Sequence, residues 1–141
     1  MMLYASNGEM VFTYSYPGKV VILHKDGSRH YAIDIRSGYP YDVTCIDSNT
    51  IAVSVVEAAH QVHIIDLNNR LVTQKIITGT YLFGLTYNDG FLICCGKDKG
   101  LIRIDLKDHS ITPVVRCSLP AWPHVTTNSN NIYYTKYTEH T

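Results

Sequence analysis

The chain repeats itself about every 40 residues, and no other feature constrains its fold as much. The repeats align at offsets of 42, 40 and 39 residues, pairing Val43 with Leu85, Ile51 with Phe91, and Asp66 with Asp105. Each unit contains short apolar runs separated by residues that favour turns, such as Asn-Asp-Gly at 88–90. A period of this length built from short strands is typical of β-propeller blades rather than of helical arrays.

The repeats do not divide the chain into a whole number of units. The turn positions predict three strands in the first repeat, which is expected to lack its innermost strand, then four, four and two. We therefore predict an all-β chain that forms a partial, open β-propeller of four-stranded antiparallel blades. Its single domain, residues 1–141, divides at about 1–36 (incomplete), 37–78, 79–119 and 120–141 (incomplete).

Continuous apolar runs favour this architecture over its main alternative, a two-sheet β-sandwich. Ile51-Ala52-Val53 and Leu92-Ile93-Cys94 are apolar at successive positions, as expected of strands buried on both faces between neighbouring blades. A sandwich also contains short strands with frequent turns. It has no reason, however, to repeat Ile-Asp-Leu at the same point of successive units.

The net charge, the length of the apolar runs and the cysteine spacing exclude some classes of partner and site. Twelve basic and twelve acidic residues give a formal net charge of zero, so no overall field attracts nucleic acid or an anionic membrane. No apolar run is long enough to span a membrane, and we expect a cytoplasmic protein without a membrane partner. The four cysteines lack the paired spacing of zinc sites and are expected to be reduced thiols, with Cys94 and Cys95 on opposite faces of one strand.

Two segments that enter a repeat, 38–43 and 79–85, and two that precede the outer hairpin, 62–66 and 101–105, resemble the propellers of the NHL-repeat class. The resemblance is closest to the C-terminal propellers of tripartite-motif proteins. It implies a substrate-selecting or RNA-selecting propeller. The zinc-binding RING and B-box modules of those proteins have no counterpart here, so the resemblance implies no ligase chemistry in this chain. The Gly-His and Trp-Asp dipeptides of WD-type blades are absent, which argues against that class.

Loops between repeats, and between the second and third strands of a repeat, usually form the ligand-binding face of a propeller. In this chain they contain aromatic and basic side chains of the kind enriched at interaction hot spots. We predict a partner-binding surface made by Arg36, Tyr39, Tyr81, Lys97, Lys99, Arg116 and Trp122. Tyr41, Phe83 and Trp122 are also candidates for wedges between adjacent blades.

The function predicted from the sequence is a non-catalytic interaction module with no cofactor and no metal. A protein is the expected partner; single-stranded RNA is the alternative partner, and open blade edges would allow self-association. A second hypothesis is a fragment of a calcium-dependent lactonase-like hydrolase, with Asp42 among the ligands. Asp66 and Asp105 recur beside an outer turn and are expected to accept hydrogen bonds from turn amides. His60 and His63 are expected to diverge rather than bind one metal ion.

Overall fold

The computed structural model describes residues 7–56, 60–119 and 122–135, together with the backbone of 2–4. These residues form three four-stranded antiparallel sheets and one two-stranded sheet, each in sequence order. The strands of the first sheet are β1 (Met2–Tyr4), β2 (Met10–Tyr14), β3 (Lys19–Leu23) and β4 (Arg29–Asp34). Those of the second are β5 (Tyr39–Cys45), β6 (Thr50–Val56), β7 (Gln61–Asp66) and β8 (Leu71–Ile77). The third has β9 (Leu82–Asn88), β10 (Phe91–Gly96), β11 (Gly100–Asp105) and β12 (Ile111–Val115), and the fourth has β13 (Val125–Asn128) and β14 (Asn131–Tyr134).

The prediction that the first repeat lacks its innermost strand is wrong. Strand β1 pairs with β2, and Leu3 lies opposite Val11. The strand has only three residues, too few to show a periodic apolar pattern. The second and third sheets each contain the four strands that were predicted for their repeats. Parts of the predicted loops and of the last unit, residues 57–59, 120–121 and 136–141, lie outside the described residues.

The four sheets are stacked face to face through three hydrophobic clusters. The first cluster joins β2, β3 and β4 to β5, β6 and β7, the second joins the second sheet to the third, and the last joins the third sheet to β13 and β14. Because the second and third sheets have a neighbour on each face, Ile51–Val56 and Leu92–Gly96 are buried at every position. Strand β3 is instead buried at alternate positions, since the described residues cover only one face of the first sheet.

Several local predictions are confirmed by the turns and the core. Asp89 and Gly90 both have positive φ and join β9 to β10 as a two-residue hairpin turn. Cys94 packs in the cluster between the second and third sheets, whereas Cys95 packs in the cluster on the opposite face of the third. Within the described ranges, no helix is long and apolar enough to cross a membrane.

The carboxylates of Asp66 and Asp105 have the predicted structural role. Asp66 Oδ1 accepts hydrogen bonds from the backbone N–H groups of Asn68 at 2.8 Å and Asn69 at 3.1 Å. Asp105 Oδ1 accepts the corresponding bond from Lys107 at 2.8 Å. Both residues therefore hold the outer turns of their sheets.

Candidate functional site

One end of the stack gathers the loops in which partner-binding residues were predicted. We call it the loop end and define it by residues 15–18, 35–39, 60, 78–81, 97–99, 116–119 and 122–124. Backbone hydrogen bonds tie these loops to one another: Ile35 N–H to Gly18 O at 2.8 Å, Lys97 N–H to Tyr81 O at 3.0 Å, and Leu119 N–H to Lys97 O at 3.1 Å. The loop end therefore presents side chains from a backbone that is already ordered, which lowers the entropic cost of binding.

Tyr81 and Lys97, two of the predicted residues, lie together at the loop end. Lys97 Nζ lies 5.8 Å from the centroid of the Tyr81 ring, within the range of a cation–π interaction. The Tyr81 ring also lies 4.3 Å from that of His60, and 38% of Tyr81 remains exposed. His60 was not among the residues predicted from the sequence for the partner-binding surface. Its position in the loop before β7, at the same end as the other loops, could have identified it from the sequence.

Trp122 lies on a second aromatic group. Its ring centroid is 5.4 Å from that of Tyr41 and 5.5 Å from that of Phe83, yet 60% of the residue is exposed. Tyr41 Oη donates a hydrogen bond to Trp122 O at 3.1 Å and lies 3.1 Å from His124 Nε2. Phe83 is buried in the cluster of the last junction and Tyr41 packs against it. The wedge hypothesis is therefore confirmed for Tyr41 and Phe83, whereas Trp122 is largely exposed.

Burial of Tyr41 has an electrostatic consequence. Desolvation, followed by the nearby carboxylate of Asp42, raises the pKa of the Tyr41 phenol to about 12. The hydroxyl, protonated at neutral pH, therefore stays protonated further into the alkaline range and keeps the bond that it donates to the carbonyl of Trp122. This bond fixes the backbone from which the exposed indole projects.

The remaining predicted residues line two grooves. Arg36 and Tyr39 line one of about 560 Å³ that also includes Pro17 and Asp34. Lys99 and Arg116 line another, of about 350 Å³, along β11 and β12. The structure thus brings the seven predicted residues together in four places, namely Arg36 with Tyr39, Tyr81 with Lys97, Lys99 with Arg116, and Trp122 with the wedge residues. Tyr14 and Tyr16, which are 51% and 86% exposed, add to the aromatic surface near this end.

Asp42, a ligand in the calcium hypothesis, has a carboxylate that is already hydrogen-bonded to the protein backbone. Its carboxylate accepts hydrogen bonds from the backbone N–H groups of Val43, to Oδ1 at 2.8 Å, and Leu85, to Oδ2 at 3.0 Å. Asp42 is only 5% exposed, and burial is the main cause of a raised pKa, opposed by these two hydrogen bonds. Both oxygens are therefore already engaged: Oδ1 within β5, and Oδ2 in joining β5 to β9. Among the described residues, the group of acidic and histidine side chains able to hold a metal ion does not include Asp42.

Replacing Asp42 by Asn is expected to lower the free energy of unfolding by about 1–2 kcal/mol. The amide keeps one oxygen but presents an NH₂ group to the other backbone donor, which is left unsatisfied in a buried position. Urea unfolding of the wild type and the variant measures the difference. Asp47→Asn, in an exposed turn, is the control and should cost less. Equal stability of the Asp42 variant and the wild type would contradict the structural role.

His60 and His63 do not converge. His63 is buried, with its Nε2 atom 3.0 Å from Gln61 Oε1 and 3.3 Å from Ser37 Oγ. His60 instead lies against Tyr81 at the loop end. The expectation that these two histidines do not form one metal site agrees with this geometry.

Comparison with known proteins supports the fold. No protein-family profile and no curated protein matches the chain. Among solved structures, the WD40 β-propeller domain of Doa1 aligns with 93% of this chain and 44% of its own, at 14% identity and a TM-score of 0.76. The Pan2 WD40 domain of Neurospora crassa aligns with 79% of this chain and 34% of its own, at 16% identity and a TM-score of 0.66. The chain thus spans less than half the length of either structure.

These similarities confirm the partial β-propeller and, at such low identities, show the fold alone. The NHL-type and tripartite-motif-type classification is not confirmed and stays a prediction. The two solved structures named above are WD40 domains, although this chain lacks the Gly-His and Trp-Asp dipeptides. The absence of those dipeptides therefore does not exclude a fold of the WD40 kind.

Proposed function

We propose that this chain is a non-catalytic β-propeller interaction module that binds a protein partner at its loop end. The observation that carries the proposal is the position of exposed aromatic rings there: Tyr39, Tyr81 and Trp122 are 38%, 38% and 60% exposed. Tyrosine and tryptophan bury a large area on binding and lose few rotamers, so they dominate the energetics of protein interfaces.

The charges at the loop end indicate the character of the partner. Arg36, Lys97, Lys99 and Arg116 are exposed there. Among the described residues of this end, the exposed acidic side chains are Asp34, which is paired with Lys19 at 3.4 Å, and Asp98, which lies in the groove with Lys99 and Arg116. The excess of cations favours a protein segment that combines carboxylates with apolar or aromatic side chains. The resemblance to tripartite-motif propellers would make that partner a substrate protein.

A peptide selection tests the site. Peptides selected from a random display library on the immobilised full chain should bind at the loop end. Their dissociation constants, measured by anisotropy of a labelled peptide, should rise at least about tenfold in Tyr81→Ala and in Trp122→Ala. A tenfold change corresponds to about 1.4 kcal/mol, within the range found for hot-spot residues.

Leu71→Ala is the matched control, because Leu71 is 47% exposed and lies in the second sheet at the opposite end of the stack. It should leave the affinity unchanged. If Leu71→Ala weakened peptide binding and neither Tyr81→Ala nor Trp122→Ala did, the proposed surface would be contradicted.

Single-stranded RNA is the alternative outcome. RNA would be the partner if filters retained short RNA strands with the chain, if this retention fell steeply with salt, and if a Lys97→Ala, Lys99→Ala double variant lost it. Retention of selected peptides without salt-sensitive RNA retention supports the protein partner.

A further inference from the structure

Three potential metal ligands meet at the end of the stack opposite the loop end. Glu9 directly precedes β2, His24 directly follows β3, and His30 is the second residue of β4. Because these strands are neighbours in the first sheet, residues 15 and 6 positions apart in sequence become adjacent in space. One ligand atom from each of the three side chains lies within 4.8 Å of the others.

The distances between the ligand atoms of the three side chains are close to those between the ligands of a bound metal ion. Zinc ligands lie about 2.1 Å from the metal, which sets tetrahedral ligand separations of roughly 3.4 Å. Glu9 Oε1 is 3.7 Å from His30 Nε2, and the ligand atoms of all three residues lie within 4.8 Å of one another. Shortening these separations by at most about 1.4 Å would bring the three donor atoms onto one ion.

The surroundings orient the carboxylate. Asn7 Nδ2 donates a hydrogen bond to Glu9 Oε2 at 2.8 Å, and Glu9 N–H donates to Asn7 Oδ1 at 3.0 Å. The second oxygen, Oε1, is left facing His30. Hydrogen bonds from a neighbouring residue to a ligating carboxylate are a recurrent feature of protein metal sites.

The backbone next to His24 is also fixed. His24 N–H donates to Ser28 O at 2.9 Å, and Gly27 N–H donates to His24 O at 2.9 Å. Asp26 accepts further bonds from Ser28, which closes the turn. The turn between β3 and β4 therefore holds His24 beside His30 through its own hydrogen bonds.

We propose that Glu9, His24 and His30 bind a divalent transition-metal ion, with Zn²⁺ as the ion to test. Two imidazoles and one carboxylate suit zinc and its neighbours better than Ca²⁺ or Mg²⁺, which prefer oxygen ligands. A groove of about 400 Å³ beside Glu9 and His24 leaves room for water in a fourth position. The ion would join β2, β3 and β4 at the end of the first sheet, one face of which the described residues leave uncovered.

Calorimetric titration of the tag-free full chain with ZnCl₂ tests the proposal. One site per chain is expected, and His24→Ala, His30→Ala and Glu9→Gln should each weaken it more than about tenfold. The loss of even an outer partner of a ligand commonly costs 10–100-fold in affinity, so loss of a ligand should cost at least this much. The midpoint of thermal unfolding should rise with added zinc in the wild type and stay constant in His24→Ala, because a ligand that binds only the folded state stabilises it.

His109→Asn is the matched control, since His109 is an exposed histidine in the outer turn of the third sheet and asparagine tolerates its positive φ. It should bind zinc as the wild type does. Zinc binding that is unchanged in folded His24→Ala and His30→Ala would overturn the proposal. So would the absence of both binding heat and a thermal shift, or binding that disappears in Cys117→Ser instead.

Discussion

Acidification from pH 6.5 to below 4 is expected to remove roughly 3 kcal/mol of stability through His63 alone. His63 is 1% exposed, and burial, followed by the charge of Lys75, lowers the pKa of its imidazole from 6.5 to about 4. Because the folded pKa lies below the unfolded one, the contribution is complete above pH 6.5 and is lost as the pH falls through about 4. One unit of pKa corresponds to about 1.4 kcal/mol, which sets the magnitude.

The physical cause is visible at the two ring nitrogens. Nε2 lies within hydrogen-bonding distance of Gln61 and Ser37, whereas Nδ1 is buried with no hydrogen-bond partner. Protonation would place a charged N–H at Nδ1 with no acceptor, in a site from which water is excluded. The folded state therefore selects the neutral ring.

Urea unfolding at a series of pH values between 7 and 3.5 measures this effect as the difference between wild type and His63→Leu. The buried carboxylate of Asp42, whose pKa is raised, acts in the opposite direction in both proteins and cancels in the difference. The decline in stability across this window should be roughly 3 kcal/mol smaller in the variant than in the wild type, and the exposed control His109→Asn should show the full decline. Parallel pH profiles for wild type and His63→Leu would show that His63 is not the cause.

The repeat made most of the fold predictable because each blade satisfies its hydrogen bonds and turns locally. Apolar runs located β6 and β10, and Asn-Asp-Gly identified the hairpin between β9 and β10. Alternation along a strand also predicted that Cys94 and Cys95 point to different faces. Strand β1 was missed because a three-residue strand takes its stability from pairing with β2, which sequence propensity does not reveal.

The candidate sites were less predictable, because their geometry depends on which blades and strands become neighbours. Loop position selected Tyr81 and Lys97, but the contact of Tyr81 with His60 joins residues that no local pattern connects. The exposure of Trp122 depends on how its loop lies against Tyr41. The Glu9, His24 and His30 group was in principle accessible, since the predicted strands place all three residues at one end of adjacent strands. It was missed because its three residues are 15 and 6 positions apart in sequence and form no short metal-binding motif.

Replacing Gly84 by Ala is expected to cost about 3 kcal/mol and to loosen the fourth sheet. A Cβ atom at this position would lie 2.7 Å from His124 Cα, 2.8 Å from Pro123 O and 2.9 Å from Val125 N. All three are backbone atoms, which cannot rotate away as a side chain would, so the cost falls at the upper end of the range for overpacking. The added methyl group would also break the hydrogen bond from Gly84 N–H to Pro123 O, now 2.9 Å long.

The same contact connects stability to the proposed binding surface. Gly84 occupies the repeat position of Asp42. In the second sheet the Asp42 carboxylate joins β5 to β9, whereas in the third sheet the backbone of Gly84 lies directly against residues 123–125. Displacing this segment moves the backbone of Trp122 away from Tyr41. Gly84→Ala should therefore weaken the binding of the selected peptides, although it alters no residue of the proposed binding surface.

Hydrogen exchange separates this local effect from general destabilisation. In Gly84→Ala, amides of β13 and β14 should lose protection while those of β6 and β7 keep it, and urea unfolding should show the loss of stability. Gly90→Ala is the matched control: Gly90 has φ of 87° and no atom within 4 Å of an added Cβ. That variant should be destabilised by roughly 1–2 kcal/mol through backbone strain, with protection of β13 and β14 unchanged. Equal loss of that protection in both variants would show that Gly84 is not what docks the fourth sheet.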